Sequence, residues 1–378
     1  MKPVGLITYH SAYNFGSVLQ ALATQQAIER LGYPVEVIDY RPIQGDYFYH
    51  NLYFRHQGLK YFISDCTMIP VQRQRKLRAQ RFEEFITANL KLSTPRLSQP
   101  YELETLADRY QTVVSGSDQI INKHSNELRD VDWQFMDPYL LTWTSHRKIS
   151  YASSPASMSD AELNMIQNPL QSFSQLSARE FDACARLEKV TGKHVSNVCD
   201  PTLLFDANEW TRQISLKQPR INNDKGYILY YSLKRPRIVL KTILPQLRQL
   251  SHRTGLPVVV ITPLAGFVPK CPELINCLDS GPIEFLSLIR QAHFVITDSY
   301  HGTLFSVTFG TPFWTLDSGE DSRKGQILTK LGLANRVIQS IDDVNSAESK
   351  SIDFDAAHAT LAAFRDSSVE YLKSALKD

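Results

Sequence analysis

The chain has 378 residues, a formal net charge of +2, and a composition 43% hydrophobic and 21% charged. That length accommodates two domains with buried cores, the composition is that of a soluble globular chain, and the near-neutral charge gives no argument for nucleic acid as a partner. Five cysteines, an odd number without a C-x-x-C pair, favour a reduced, cytoplasmic protein over a disulfide framework and argue against a zinc site.

The chain opens on an apolar strand, residues 4–8, rather than on a signal core. No apolar run approaches the roughly 18 residues that a bilayer span needs, so membrane contact is limited to a peripheral one. The first strand leads through Tyr9-His10-Ser11-Ala12-Tyr13-Asn14-Phe15-Gly16-Ser17 into a helix that begins near Val18. Ligands of an open α/β sheet gather beyond the carboxyl ends of its strands, which puts this loop in a candidate position. Asn14 and Gly16 permit a tight turn and Ser17 reads as the helix cap. The loop has no G-x-G-x-x-G pattern, so nothing supports a dinucleotide.

A strand over 35–39 follows, then a basic helical run from Gln72 to Phe82 with four arginines and a lysine. Such a run is ordinarily a solvated helix face; the sharper reading is a surface for anionic lipid or a polyanionic acceptor. The strand over 112–115 ends in Gly116-Ser117-Asp118-Gln119, where a glycine allows close backbone approach and three side chains offer hydrogen bonds. The strand over 148–152 ends in small residues, and 176–178 delivers Arg179-Glu180. That pair is either an ordinary ion pair or a guanidinium placed to grip phosphate or carboxylate. A short strand ends near Asp200, which either lines a cleft or caps the turn that Pro201 starts. Residues 206–224, polar with Pro219 and Asn222-Asn223-Asp224, read as a connection between domains.

Strands over 227–231, 257–262 and 294–297 then restart the strand-helix rhythm, with a helix over 236–253 between the first two. A last helix, 355–377, has Ala357, Leu361, Phe364, Val369 and Leu372 at helical spacing. The pattern predicts an α/β protein of two Rossmann-like domains facing a cleft: 1–205, joined by the terminal helix 350–378, and 225–345.

The run Thr297-Asp298-Ser299-Tyr300-His301-Gly302-Thr303 is the strongest chemical signal. An apolar strand passes through a polar turn into an apolar helix, and such a helix start offers unpaired N–H groups and partial positive charge to an anion. His301 adds a proton carrier, with Asp298 three residues before it, and Arg323 and Lys324 supply positive charge if their loop folds over the same site.

Taken in order, Asn14–Ala21, Ser115–Gln119, Ile149–Ala152, Ser177–Glu180, Asp200–Leu204, Thr297–Thr303 and Ser322-Arg323 resemble the polysaccharide pyruvyl transferase family over roughly residues 4–336. The resemblance implies a fold similar to GT-B glycosyltransferases, phosphoenolpyruvate as donor, no cofactor or metal, and as acceptor a sugar of a cell-surface polysaccharide or its lipid-linked precursor. It implies His301 as general acid/base, Arg179 and Arg323 on the donor's negative groups, and Asp298 orienting His301 or assisting as base. It places Asn14, Gly16, Ser17, Ser117, Asp118, Gln119, Ser299 and Ser322 in substrate binding. Some members resemble Arg-Leu-His where this chain has Ser299-Tyr300-His301, and Ile121 stands where many have tryptophan. Two other classes remain open: a GT-B glycosyltransferase using a nucleotide sugar, and a non-catalytic glycan- or anion-binding protein.

Overall fold

Six four-residue strands of the chain are buried along their whole length, as expected where parallel sheets are covered on both faces. The computed structural model describes residues 2–42, 69–214, 226–234, 238–263, 270–317, 322–344 and 352–377, with Phe62, Cys66 and Ile221 between them. It divides into two compact units, one of Met1–Asn51, Glu84–Leu204 and Ala363–Asp378, the other of Leu52–Glu83 and Phe205–Ala362.

In unit 1, β1 (Val4–Ile7), β2 (Val35–Val37), β3 (Thr112–Ser115) and β4 (Arg147–Ser150) form a parallel sheet in the order β2-β1-β3-β4. A parallel pair, β5 (Leu176–Ala178) and β6 (Val195–Asn197), lies beside it through the Ile149–Gln175 bridge. In unit 2, β7 (Ile228–Tyr231), β8 (Val258–Ile261), β9 (Leu274–Asn276), β10 (Phe294–Thr297), β11 (Phe313–Leu316) and β12 (Val337–Ile338) are parallel in the order β12-β11-β10-β7-β8-β9. Each sheet reverses its direction of growth once, between β1 and β3 in unit 1 and between β7 and β10 in unit 2. Those are the switch points at which crevices open beyond the strand ends. The cores gather on the sheets, around Tyr139 and Phe173 in unit 1 and around Leu247 and Val260 in unit 2.

Helix α1 (Phe15–Arg30) starts three residues before its expected start, because Asn14 is the cap: its side chain accepts the Gly16 N–H at 3.0 Å. Ser17, expected to cap, lies inside the helix, and its hydroxyl donates to Asp118 at 2.7 Å. The basic run forms α2 (Gln72–Asn89), within which the chain passes from unit 2 to unit 1. Arg73 and Lys76 are exposed. Arg81 instead binds the carbonyl of Asp279 at 2.7 Å and its carboxylate at 3.0 Å, so part of the run is packed rather than solvated. The expected linker begins with a helix, Ala207–Gln213, capped by Asp206; Trp210 is buried edge-on to Phe205 and Phe305. Pro219, Asn222-Asn223-Asp224 and Pro236, named in the sequence reading, lie outside the described residues.

The carboxy-terminal helix runs from Phe354 to Leu376 and crosses units at Ala362–Ala363. In unit 1, Arg365 donates to the Leu203 carbonyl, Ser368 accepts the Cys199 N–H, and Tyr371 donates to the Ser150 carbonyl. All five cysteines are free. Among the described residues no helix is long and apolar enough to cross a membrane.

Unit 1 holds one acid-sensitive cluster. Burial alone would raise the Asp39 carboxyl, but His10 Nε2 at 3.0 Å and Arg41 Nε at 2.6 Å outweigh it and hold the group far below the usual carboxylate range. A depressed folded value means the contribution is complete above the unfolded value, about 3.9, and lost as pH falls below it. Asp39→Asn is therefore expected to destabilise the protein most at neutral pH. Urea unfolding at pH 7 and pH 3 checks this; a wild-type advantage equally large at both would refute it.

Candidate active site

The turn after β10 is built by hydroxyls. Thr297 Oγ1 donates to the Tyr231 carbonyl at 2.7 Å and accepts the Ser299 N–H at 3.0 Å, which ties the turn to β7. Ser299 then caps the helix Tyr300–Phe309 of unit 2 by accepting the Gly302 N–H at 3.3 Å. This helix is apolar on most of its circumference and correspondingly buried, with Phe305 packed edge-on to Trp210 and Phe285. His301 lies in its first turn, 7% exposed, with the Tyr300 ring edge-on at 5.4 Å. The Arg323 guanidinium stands 5.8 Å from the centre of the Tyr300 ring, at the start of the helix Arg323–Lys330, which Ser322 caps by accepting the Gly325 N–H at 3.0 Å. The structure thus gathers Ser299, His301, Ser322 and Arg323 at two neighbouring helix starts, with Tyr300 between.

Gly302 is required by space. A Cβ there would meet Thr297 Oγ1 at 2.6 Å and Tyr231 Cδ1 at 2.9 Å, both held by the sheet. Gly302→Ala is expected to cost about 1–3 kcal/mol, as overpacking does, and to displace the turn that carries His301. Thermal unfolding of the variant checks this; an unchanged Tm would show that the helix start can yield.

A cavity of about 630 Å³ opens at the carboxyl edge of the unit 2 sheet, lined by Leu233, Lys234, Asp298, Leu316, Asp317, Lys324 and Gln339. These residues end or follow β7, β10, β11 and β12 or lie in the first turn of the helix at Arg323, so the cavity includes the β7/β10 switch point. Asp298, expected to orient His301 or to assist as base, is tied to the end of β7. Its carboxylate accepts the Leu233 N–H at 2.8 Å and the Ser232 hydroxyl, so the end of β7 orients it. Lys324 donates to the carbonyls of Asp298 and Leu316, each at 2.7 Å, and lies 3.3 Å from the Asp317 carboxylate. Burial pulls its ammonium below the usual lysine range, opposed by the charges of Asp317 and Asp298.

The remaining predicted residues meet at the β1/β3 switch point of unit 1. Thr8 donates to the Ser117 carbonyl at 3.1 Å, and Asp118, in the left-handed region at φ 81°, accepts Ser17 and its neighbour's Gln119 N–H. Gln119 in turn accepts the Asn122 side-chain amide at 2.7 Å. Arg179, with its side chain 1% exposed, binds Glu180 and Asp200 at 2.9 Å each and lies 3.7 Å from Asp118. Glu180 also accepts Ser154, and Asp200 accepts Ser117 at 3.5 Å. The expectation for Arg179 was a donor's negative group; the arrangement found is three carboxylates of its own unit around one guanidinium.

Lys324 was visible in sequence only as a neighbour of Arg323, and Lys234 and Ser232 were not singled out. Lys234 carried a weak signal, since it stands just past a buried strand, where ligand-contacting residues gather. Among the described residues no three His, Cys, Asp or Glu side chains are arranged to hold a metal ion.

Comparison with solved structures shows the same fold at low identity. The UDP-GlcNAc 2-epimerase of Neisseria meningitidis, solved with UDP-GlcNAc, is 11% identical, with all of both chains covered and a TM-score of 0.57. The UDP-GlcNAc 2-epimerase of Methanocaldococcus jannaschii is 12% identical, with 93% of this chain and 92% of that one covered and a TM-score of 0.56. These likenesses establish the GT-B-like fold of paired α/β units. A search of curated proteins gave no match. The family model described as polysaccharide pyruvyl transferase, however, matches residues 14–320, a span that takes in both switch-point loops and the His301 turn; the chain belongs to that family and is a transferase.

Proposed function

We propose that the protein moves the pyruvyl group of phosphoenolpyruvate onto two hydroxyls of one sugar, in a cell-surface polysaccharide or its lipid-linked precursor, and leaves it as a ketal. The observation that carries this reading is the His301 turn beside a small, cation-bearing cavity at a sheet switch point. The enol phosphate needs a proton on its methylene before C2 can be attacked, and an imidazole both gives and accepts protons near neutrality. His301 protonates the methylene, which becomes the methyl group; the first sugar hydroxyl adds its oxygen to C2 and gives its proton to His301, which restores the acid. The C2–O bond to phosphate then breaks, the second hydroxyl closes the ketal, and its proton leaves with the phosphate.

Arg323, at the rim of the same turn, supplies positive charge for the donor, and Asp298 shapes the cavity from the end of β7. In unit 1, Ser117, Asp118 and Gln119 at the end of β3 offer hydrogen-bonding groups suited to the hydroxyls of a sugar, while Arg179 is engaged by Glu180 and Asp200. A lipid-linked acceptor would bring the protein to the inner face of a membrane, with the exposed Arg73 and Lys76 of α2 as the peripheral contact.

Incubation with phosphoenolpyruvate and cell-envelope glycan precursors tests the reading. The expected result is phosphate release in step with a new acid-labile ketal on the glycan. Consumption of a nucleotide sugar alone would replace it with glycosyl transfer.

A further inference from the structure

The unit 2 cavity contains two lysines in different states. An ammonium has three donors. Those of Lys324 are directed at the protein: two carbonyls at 2.7 Å and the Asp317 carboxylate at 3.3 Å. Lys324 is therefore a tie between β10, β11 and its own helix. Lys234, on the far side of Asp298, bonds through its backbone N–H to Ser232 Oγ at 3.1 Å, and among the described residues its ammonium has no hydrogen-bond or ion-pair partner.

The negative groups of the cavity are already engaged. Asp298 is held by Ser232 and the Leu233 N–H, and Asp317 by Lys324 and Ser322. Among the described residues of the lining, the positive charge left without a partner is that of Lys234, at the β7/β10 switch point. We propose that Lys234 is the side chain that hydrogen-bonds an oxyanion group, phosphate or carboxylate, of the small molecule held in this cavity, and so sets its preference for an anionic ligand. That the ligand is phosphoenolpyruvate rests on the reading above; that the cavity takes an oxyanion at Lys234 does not.

Calorimetric titration of the full chain, Lys234→Gln and Lys234→Arg with phosphoenolpyruvate, inorganic phosphate and pyruvate separates these claims. Because the ammonium makes no bond among the described residues, Lys234→Gln is expected to keep the wild-type Tm without ligand. It is expected to bind phosphoenolpyruvate about tenfold or more weakly, with a smaller dependence on ionic strength, while Lys234→Arg stays close to wild type. In turnover the loss would fall mainly on the donor KM. Phosphate weakened as much as phosphoenolpyruvate, with pyruvate unaffected, assigns Lys234 to the phosphoryl end; pyruvate weakened instead assigns it to the carboxylate.

If wild type and Lys234→Gln bind phosphoenolpyruvate equally, the Lys234 assignment fails and the pyruvyl transfer reading stands. If wild type binds phosphate through Lys234 but not phosphoenolpyruvate, the assignment stands and the donor is another anion. Binding of none of the three anions to wild type overturns the assignment.

Discussion

Replacement of His301 by glutamine is expected to lower turnover by about 10²–10⁴-fold, the usual contribution of a positioned general acid/base, with little change in folding. The glutamine occupies similar space in a site only 7% exposed and keeps an edge toward Tyr300, so the helix start has no cavity to collapse into. Phosphate release from phosphoenolpyruvate with a glycan acceptor measures kcat, and circular dichroism with thermal unfolding reports the fold. If His301 carries the proton, kcat falls more than KM rises, and the wild-type pH dependence of kcat flattens in the variant. A variant within a few-fold of wild type would remove His301 from proton transfer and leave it a packing residue of the turn.

Arg179→Ala is expected to destabilise the protein by about 3–5 kcal/mol, the cost of breaking a buried ionic cluster from one side. The guanidinium lies against Asp118, Glu180 and Asp200, the last of these fully buried in its side chain. Removing it leaves three carboxylates together in a low-dielectric site. Arg179→Lys should recover only part of the loss, because a single ammonium cannot present a planar fork to Glu180 and Asp200 at once. Chemical denaturation of the three proteins measures the ranking. Arg179→Ala that folds with wild-type stability but loses donor affinity would return Arg179 to the role its sequence suggested, a grip on an anionic substrate.

The positions of the site were legible in the sequence because the chain marks them twice. Each candidate loop follows a short strand that is buried along its length and contains the small or polar residues that a strand-to-helix turn needs, and the ends of parallel strands are where such folds bind ligands. Gly116 and Gly302 stood out as punctuation, and the structure supplies the reason for each: a Cβ would meet Thr8 at 3.0 Å in one case and Thr297 at 2.6 Å in the other. Edges of elements were less legible. The strands β9, β11 and β12 are three, four and two residues long and were not separated from their surroundings, since so short a run has no period of its own.

By itself the sequence determined that the chain is α/β with parallel strands, where its polar strand-to-helix loops lie and which family it belongs to. Those follow from local pattern: burial along a strand, capping at a helix start, order of motifs along the chain. Only the tertiary structure decided what each charged group faces. A guanidinium after a strand reads the same whether its partner is a ligand or a neighbouring carboxylate, and two lysines read the same whether their protons are engaged or open. Arg179 meets residues 21 and 61 positions away in sequence, and Lys324 meets a carbonyl 26 positions away. Coulomb energy falls off over a few ångströms, so the roles of these charges rest on distances that chain order does not contain. The His301 turn keeps the place that its sequence assigned; the cation beside it is set by how β7 and β10 come together.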